Sequence, residues 1–208
     1  MSKVLLINGS PHAHGCTYTA LSVVADELNK AGVETEIVHV GNKDIRGCIG
    51  CYKCRELGKC VFDKDKVNEV AKKFDEADGL IIGSPVYYAG MNGTLKSFLD
   101  RLFFSASYDK RFKVGAAVVS ARRMGTTATL DQMNKYFLHG EMPIAASRYW
   151  NAVHGNTAEE VLKDEEGLQT MRVLGRNMAF LIRAIRAERE RSGLPEQEAK
   201  RISTNFIR

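Results

Sequence analysis

No stretch of this 208-residue chain approaches the roughly 18 uninterrupted apolar residues that a membrane helix needs. The N-terminus runs apolar only from Val4 to Ile7 before Asn8-Gly9, too short for a secretory signal. There is no internal repeat, low-complexity tract or linker. Neither sign of charge dominates: 30 Lys+Arg stand against 25 Asp+Glu, a net +5. An ordinary composition, 44% apolar and 26% charged, excludes disorder, collagen and coiled coil as overall descriptions. These absences leave one domain, 1–208, large enough to bury its own core without a disulfide framework. A cytoplasmic location is expected, where thiols stay reduced. A solvated surface explains the mild positive charge as well as a nucleic-acid partner does. The basic run Arg183, Arg186, Arg189, Arg191 is interrupted by Glu188 and Glu190. Neither nucleic acid nor membrane is therefore expected as a partner.

What is present is a rhythm of short apolar runs and amphipathic stretches. Val4–Ile7 reads as a strand buried on both faces, ended by Asn-Gly-Ser-Pro. Leu21, Val24, Ala25, Leu28 and Ala31 then recur at helical spacing, with Gly32 as a C-cap. Val33–Val40 alternates like a second strand. After an aperiodic segment, residues 65–77 are helical. Leu80–Ile82 is a third strand, followed by a helix over about 92–104. Val114–Val119 is a fourth strand, followed by a helix over 126–138. Ile144–Tyr149 fits a fifth strand. A long helix covers about 167–191, and a polar tail follows from Ser192. Five strands alternating with helices predict a parallel α/β sheet. Ligands of such sheets bind beyond the carboxyl ends of the strands.

The loop after strand one carries Ser10, His12, Gly15, Cys16 and Thr17. Its hydroxyls, and the N–H groups of the helix that follows, suit a phosphate. The spacing is neither the dinucleotide fingerprint nor the Walker pattern, so a mononucleotide fits better. An ordinary strand–helix turn with capping hydroxyls is the plainer alternative. The loop after strand three carries Pro85, Val86, Tyr87, Tyr88, Asn92 and Gly93, and suits a planar ring; the alternative is that the tyrosines only close the core. The loop after strand four carries Ser120, Ala121, Arg122, Arg123 and Gly125. Its arginines suit an anionic ligand, and surface charge is the preferred reading for at least one of them. Trp150 and His154 lie at the same sheet edge; a structural role is preferred for His154.

Together these loops resemble the flavodoxin-like flavoproteins, in particular the NAD(P)H-dependent FMN reductase branch. That branch pairs a first loop Gly-Ser-Pro-Arg-x-x-Gly-Asn-Thr/Ser with a second, Ser/Thr-Pro-x-Tyr, and a helix bearing Lys and Asp-Arg. The second pattern stands here as Ser84-Pro85-Val86-Tyr87 with Lys96 and Asp100-Arg101. The first departs from it, with His12 for Arg and Cys16 for Asn. A histidine loses its charge within the physiological pH range, so the phosphate leans more on backbone and hydroxyls. The resemblance implies a three-layer sandwich with strand order 2-1-3-4-5, and FMN bound by the three loops. It also implies NAD(P)H or a redox protein as donor, a small-molecule or protein acceptor, and a homodimer or homotetramer. A non-enzymatic electron carrier serving ferredoxin-like partners is the alternative. The net +5 tilts the reading toward an enzyme. No residue is assigned an obligatory catalytic role.

The aperiodic segment, about 41–63, reads as an insertion after strand two. It holds Cys48-x2-Cys51-x2-Cys54-x5-Cys60, with glycines at 47, 50 and 58. Four thiolates are the complement of a [4Fe–4S] centre, and the compact spacing resembles the iron–sulfur flavoproteins of the same family. Zinc, a redox dithiol and a thiol-rich segment without metal remain open alternatives. Zinc sites usually pair two knuckles set farther apart. Cys16 stands apart from this set, facing the phosphate position.

Overall fold

The computed structural model of the chain describes residues 1–198, 202 and 204. The strands are β1 (Lys3–Asn8), β2 (Glu34–His39), β3 (Gly79–Tyr87), β4 (Gly90–Met91), β5 (Val114–Ala121) and β6 (Ala152–His154). The helices are α1 (Cys16–Lys30), α2 (Cys54–Leu57), α3 (Val67–Glu76), α4 (Gly93–Ser105), α5 (Thr126–His139), α6 (Ala158–Val161) and α7 (Glu165–Ser192). Five parallel strands pair in the order β2-β1-β3-β5-β6. This is the expected topology, with the two-residue β4 folded back antiparallel on the end of β3.

The central strands are apolar throughout because both of their faces are covered. Leu5, Ile7, Leu80, Ile82, Ala117 and Val119 pack with α3, α4 and α5. Their neighbours Val4, Leu6, Ile81, Ala116 and Val118 pack with α1 and α7. Each Ile or Leu fully buried this way contributes about 1.5–3 kcal/mol. Close approach is bought with glycine at two points: a Cβ on Gly115 would stand 2.6 Å from the Phe137 ring of α5, and one on Gly175 of α7 would stand 2.8 Å from Glu27 of α1. The long helix α7 therefore covers the sheet by packing beside α1. Two residues of its basic run are drawn into ion pairs, Arg186 with Glu190 and Arg191 with Glu188.

The fifth strand departs from its expected position. Over Ile144–Tyr149 only Ile144 bridges to the sheet, opposite Gly115. The chain then leaves the edge and returns as β6, eight residues later than expected at Ala152, pairing with Val119–Ala121. Local bonds favour the excursion: Ser147 Oγ lies 2.7 Å from both the Tyr149 carbonyl and Asn151 Oδ1, either of which can take its one hydrogen. Such side-chain bonds compete with a ladder on an edge strand. Residues 199–201, 203 and 205–208 of the expected polar tail lie outside the described residues. Among the described residues, no helix is long and apolar enough to cross a membrane.

Candidate functional site

The carboxyl ends of β1, β3 and β5 open onto a cleft of about 270 Å³. It lies at the β1/β3 switch point, where loops from neighbouring strands diverge. Ser10, His12, Gly15, Cys16 and Thr17 line it from the first loop, Pro85, Val86 and Tyr87 from the second, and Ser120, Ala121 and Arg122 from the third. Pro11, Gly155 and Asn156 complete the wall. These last residues follow from the displaced β6, which brings the 155–156 turn to the cleft.

The first loop is braced from below. The buried Asn8 side chain accepts the Ser10 N–H (3.0 Å) and donates to the Ala13 carbonyl (3.1 Å). His39 of β2 bonds the Ser10 carbonyl at 2.7 Å. Gly41 lies so close that a Cβ there would overlap the carbonyl oxygens of Gly9 and Ser10. Sequence reasoning passed over Asn8, His39 and Gly41, whose only signal was a polar or small residue at each strand end. The two hydroxyls expected to meet phosphate both have internal partners. Ser10 Oγ accepts the His12 N–H at 3.1 Å, and Thr17 Oγ1 shares a 2.8 Å bond with Ser120 Oγ. Each arrangement still leaves one hydroxyl hydrogen unspent. The N-terminus of α1 has no side-chain cap and no acidic residue in its first turn, so its N–H dipole faces the cleft uncompensated.

Cys16 at that N-terminus donates to the Gly155 carbonyl at 3.5 Å. Burial pushes its thiol up, its own N–H offsets this in part, and Glu160 and Glu159 push it further. It lines the cleft at the start of α1, apart from the four cysteines of the 48–60 segment.

Four residues expected in the site stand outside the cleft lining. Tyr88 and Ala89, with φ of 50° and 56°, form the two-residue turn between β3 and β4. That is type I′ geometry, which needs positive φ at both positions. It carries Tyr88 out into full exposure. Asn92 is the N-cap of α4, accepting the N–H groups of Thr94 (2.9 Å) and Leu95 (3.2 Å). Gly93 follows it in the helix and has open space where a Cβ would sit. Gly125, at φ 89°, lets the third loop pack on the β3–β4 turn: a Cβ would lie 2.9 Å from Val86 and 3.0 Å from Ala89. Arg123 and Trp150 are exposed and away from the lining, Trp150 packing edge-on against Tyr149. His154 is half exposed, its ring 3.7 Å from Asp164.

A second, smaller pocket lies in the cysteine segment. Cys48, Cys51, Cys54 and Cys60 all line it, together with Tyr52, Phe62, Arg101, Phe104 and Ser105. The segment is irregular except for the single turn α2, and its path needs positive φ at Gly50, Tyr52 and Gly58. Cys48 and Cys51 are exposed, Cys54 is partly buried and Cys60 is buried. Among the described residues, no three Cys, His, Asp or Glu side chains close on one ion. The four thiols are spread around the pocket instead. Ser105 Oγ is buried there without a hydrogen-bond partner. Four thiols and one unspent hydroxyl are a donor set that fits an iron–sulfur group. The Lys96–Asp100–Arg101 motif splits between two places: Lys96 and Asp100 meet Tyr136 of α5, while Arg101 turns inward to Cys60. Burial, aided by Asp100, pushes the Tyr136 hydroxyl up to about 12.

The fold is that of the flavodoxins. An archaeal flavodoxin superposes with a TM-score of 0.59 at 14% identity, over 88% of this chain and 99% of that one. RosB, solved with a bound riboflavin-phosphate intermediate, gives 0.73 at 18% identity, over 100% and 94%. The chain belongs to the NADPH-dependent FMN reductase family, whose model matches residues 2–157. An iron–sulfur flavoprotein of Methanocaldococcus jannaschii is 35% identical over 192 residues, covering 88% of this chain and 99% of the relative. One from Methanosarcina thermophila is 27% identical, covering 91% and 100%.

Proposed function

We propose that this chain is an FMN-dependent oxidoreductase that takes electrons from NAD(P)H or a protein donor and passes them to a small-molecule or protein acceptor. We further propose that the cysteine segment holds a [4Fe–4S] centre. The observation that carries the first reading is the three-loop cleft, walled by residues of β1, β3 and β5 beside an uncapped helix N-terminus. The second rests on four thiols around one pocket with an unspent buried hydroxyl, and is supported by the iron–sulfur flavoproteins among the relatives.

The N–H groups at the start of α1 and the free hydroxyl hydrogens of the Ser10 and Thr17–Ser120 arrangements bind the phosphate. Val86, Tyr87 and Ala121 shape a dry wall for the ring, while Pro85 stiffens the second loop. Arg122, exposed at the rim, attracts an anionic donor or acceptor. Bound FMN supplies hydride acceptance and one-electron release; the protein's part is to hold, orient and shield it. Cys48, Cys51, Cys54 and Cys60 would ligate the cluster, which supplies a one-electron port.

Ile49, Tyr52, Leu57 and Phe104, all about half exposed beside the cysteines, favour docking of a second protein surface. That surface serves either the homodimer or homotetramer or, in the alternative reading of an electron carrier, a ferredoxin-like partner.

The deciding experiment is an absorbance spectrum of anaerobically purified protein with iron and sulfide assays, followed by NAD(P)H oxidation with a quinone or flavin acceptor. Flavin bands with about four irons per chain and steady turnover are expected. Flavin without iron removes the cluster. Failure to take up added FMN removes the whole reading. Fast reduction by ferredoxin without NAD(P)H turnover selects the carrier.

A further inference from the structure

Arg101 is the largest fully buried side chain among the described residues, and a buried guanidinium is costly unless every donor is used. Here the donors are used on the cysteine segment. Nε–H donates to Cys60 Sγ at 3.2 Å. Nη1 reaches the Arg46 carbonyl at 3.3 Å, Nη2 reaches the Phe62 carbonyl at 3.0 Å, and both bond the Asp65 carboxylate. One side chain of α4 thus ties the chain just before Cys48 to the chain just after Cys60. Cys60 is fixed on its other side as well: Asn68 accepts its N–H at 3.0 Å and donates to its carbonyl at 2.9 Å. The other thiols are held loosely or not at all. Cys54 has one long contact to the Phe104 carbonyl at 3.9 Å, and Cys48 and Cys51 are exposed. Ser105 stands one helical turn beyond Arg101, where i and i+4 share a face, and its unpartnered hydroxyl lines the same pocket.

We propose that Arg101 is the positioning residue of the cysteine pocket. It fixes Cys60 as the anchor thiolate and, with Ser105, supplies N–H and O–H donors that favour the reduced form of the group bound there. The anchoring half stands on the geometry alone; the redox half rests on the iron–sulfur reading above. A cluster held there would supply one-electron chemistry, and an electron taken up by it would add negative charge beside the Arg101 N–H and the Ser105 hydroxyl, with no bond made or broken. That charge would be stabilised by the Nε–H of Arg101 on Cys60 Sγ and by the unspent Ser105 hydroxyl, the lever by which hydrogen bonds and burial set cluster potentials.

The test uses the full chain and three variants. Arg101→Lys keeps a cation opposite Asp65 but loses the fork that reaches Cys60. Arg101→Gln combined with Asp65→Asn removes both charges together, leaving no buried charge unpaired. Ser105→Ala removes a hydroxyl that has no partner, so its folding is not at stake. Two quantities are read: the cluster and flavin midpoint potentials of the anaerobic holoprotein, by paramagnetic-resonance and absorbance titration, and the order of thiol alkylation, mapped by mass spectrometry.

In the parent chain Cys60 is alkylated last. In both Arg101 variants its protection falls about tenfold, and the one-electron reduction constant of the cluster falls about tenfold, or about 59 mV. Ser105→Ala lowers that constant about three- to tenfold, the usual worth of one hydrogen bond. The flavin potential stays in place throughout. Unchanged Cys60 protection in Arg101→Lys overturns the anchoring role. Unmoved cluster potentials in Ser105→Ala and the Arg101 variants overturn the redox role. A parent chain that never holds iron defeats the cluster reading and the redox half with it, while the alkylation order still decides the anchor.

Discussion

The cleft at the end of the sheet is walled by backbone that strands and helices hold from both sides, whereas the cysteine pocket sits in a segment with a single turn of helix. In the cleft, position is set by the sheet: β1, β3 and β5 register against one another, and Asn8, His39 and Gly41 leave the first loop one path. In the pocket, position is set by side chains reaching in from outside, Arg101 and Asn68 above all. A site of the first kind is formed by folding itself. A site of the second kind is only half formed by folding, because irregular backbone with few internal bonds has little stability of its own.

The sharpest test of that contrast is the exposed thiol pair. Cys48→Ser or Cys51→Ser is expected to lower iron content to background while FMN binding and Tm stay near parent values. Loss of flavin together with iron would show that the two sites are not separately built. Gly41→Ala comes next. Its methyl overlaps the carbonyls of the first loop, and overpacking of this kind costs about 1–3 kcal/mol. FMN affinity should fall by tenfold or more, with iron content retained; an unaltered FMN titration would refute the bracing role of Gly41.

Asn92 separates a binding residue from a cap. Asn92→Ala removes the acceptor for two N–H groups of α4 and should cost about 1 kcal/mol of stability, read as a lower denaturation midpoint, with FMN affinity unchanged. A drop in affinity larger than the drop in stability would return Asn92 to the site.

The smallest effect belongs to the scaffold carboxylates. Bonds from Lys30 and then Arg176 hold Glu27 below its ordinary value, and Lys73, against the cost of burial, does the same for Glu36, with help from Lys3. The folded chain therefore binds fewer protons than the unfolded one in the acid range. The stability these groups add is full above the ordinary value of 4.5 and drains away as pH falls through the lower folded values. Tm should stay level near neutrality and fall below about pH 4.5, less steeply in Glu27→Gln. Equal slopes in parent and variant would take Glu27 out of the account.

Periodicity placed β1, β2, β3 and β5 and the long helices because each buries a face whose pattern repeats along the chain. It misplaced β6 because an edge strand with Ser147 and Asn151 nearby has local bonds that compete with the ladder, and no apolar run marks where pairing resumes. Motif reading found the loop residues that meet in the cleft, since glycine, proline and hydroxyl residues after a buried strand have few other uses. It also put Tyr88 and Asn92 there, for an aromatic at a turn tip and a cap at a helix start carry the same letters as ligand contacts. The spacing of the four cysteines was legible too, but the side chain that organises them was not. Arg101 appeared only as part of a family pattern on a helix 41 residues beyond Cys60.

The sequence by itself determined the fold class, the three loops and the thiol set, because these depend on local order and on which residues must be buried. The tertiary structure alone decided which hydroxyls are already spent, which tyrosine faces solvent and which arginine meets a cysteine. Those outcomes depend on contacts between segments far apart in the chain, and they are fixed only when the layers of the sandwich come together.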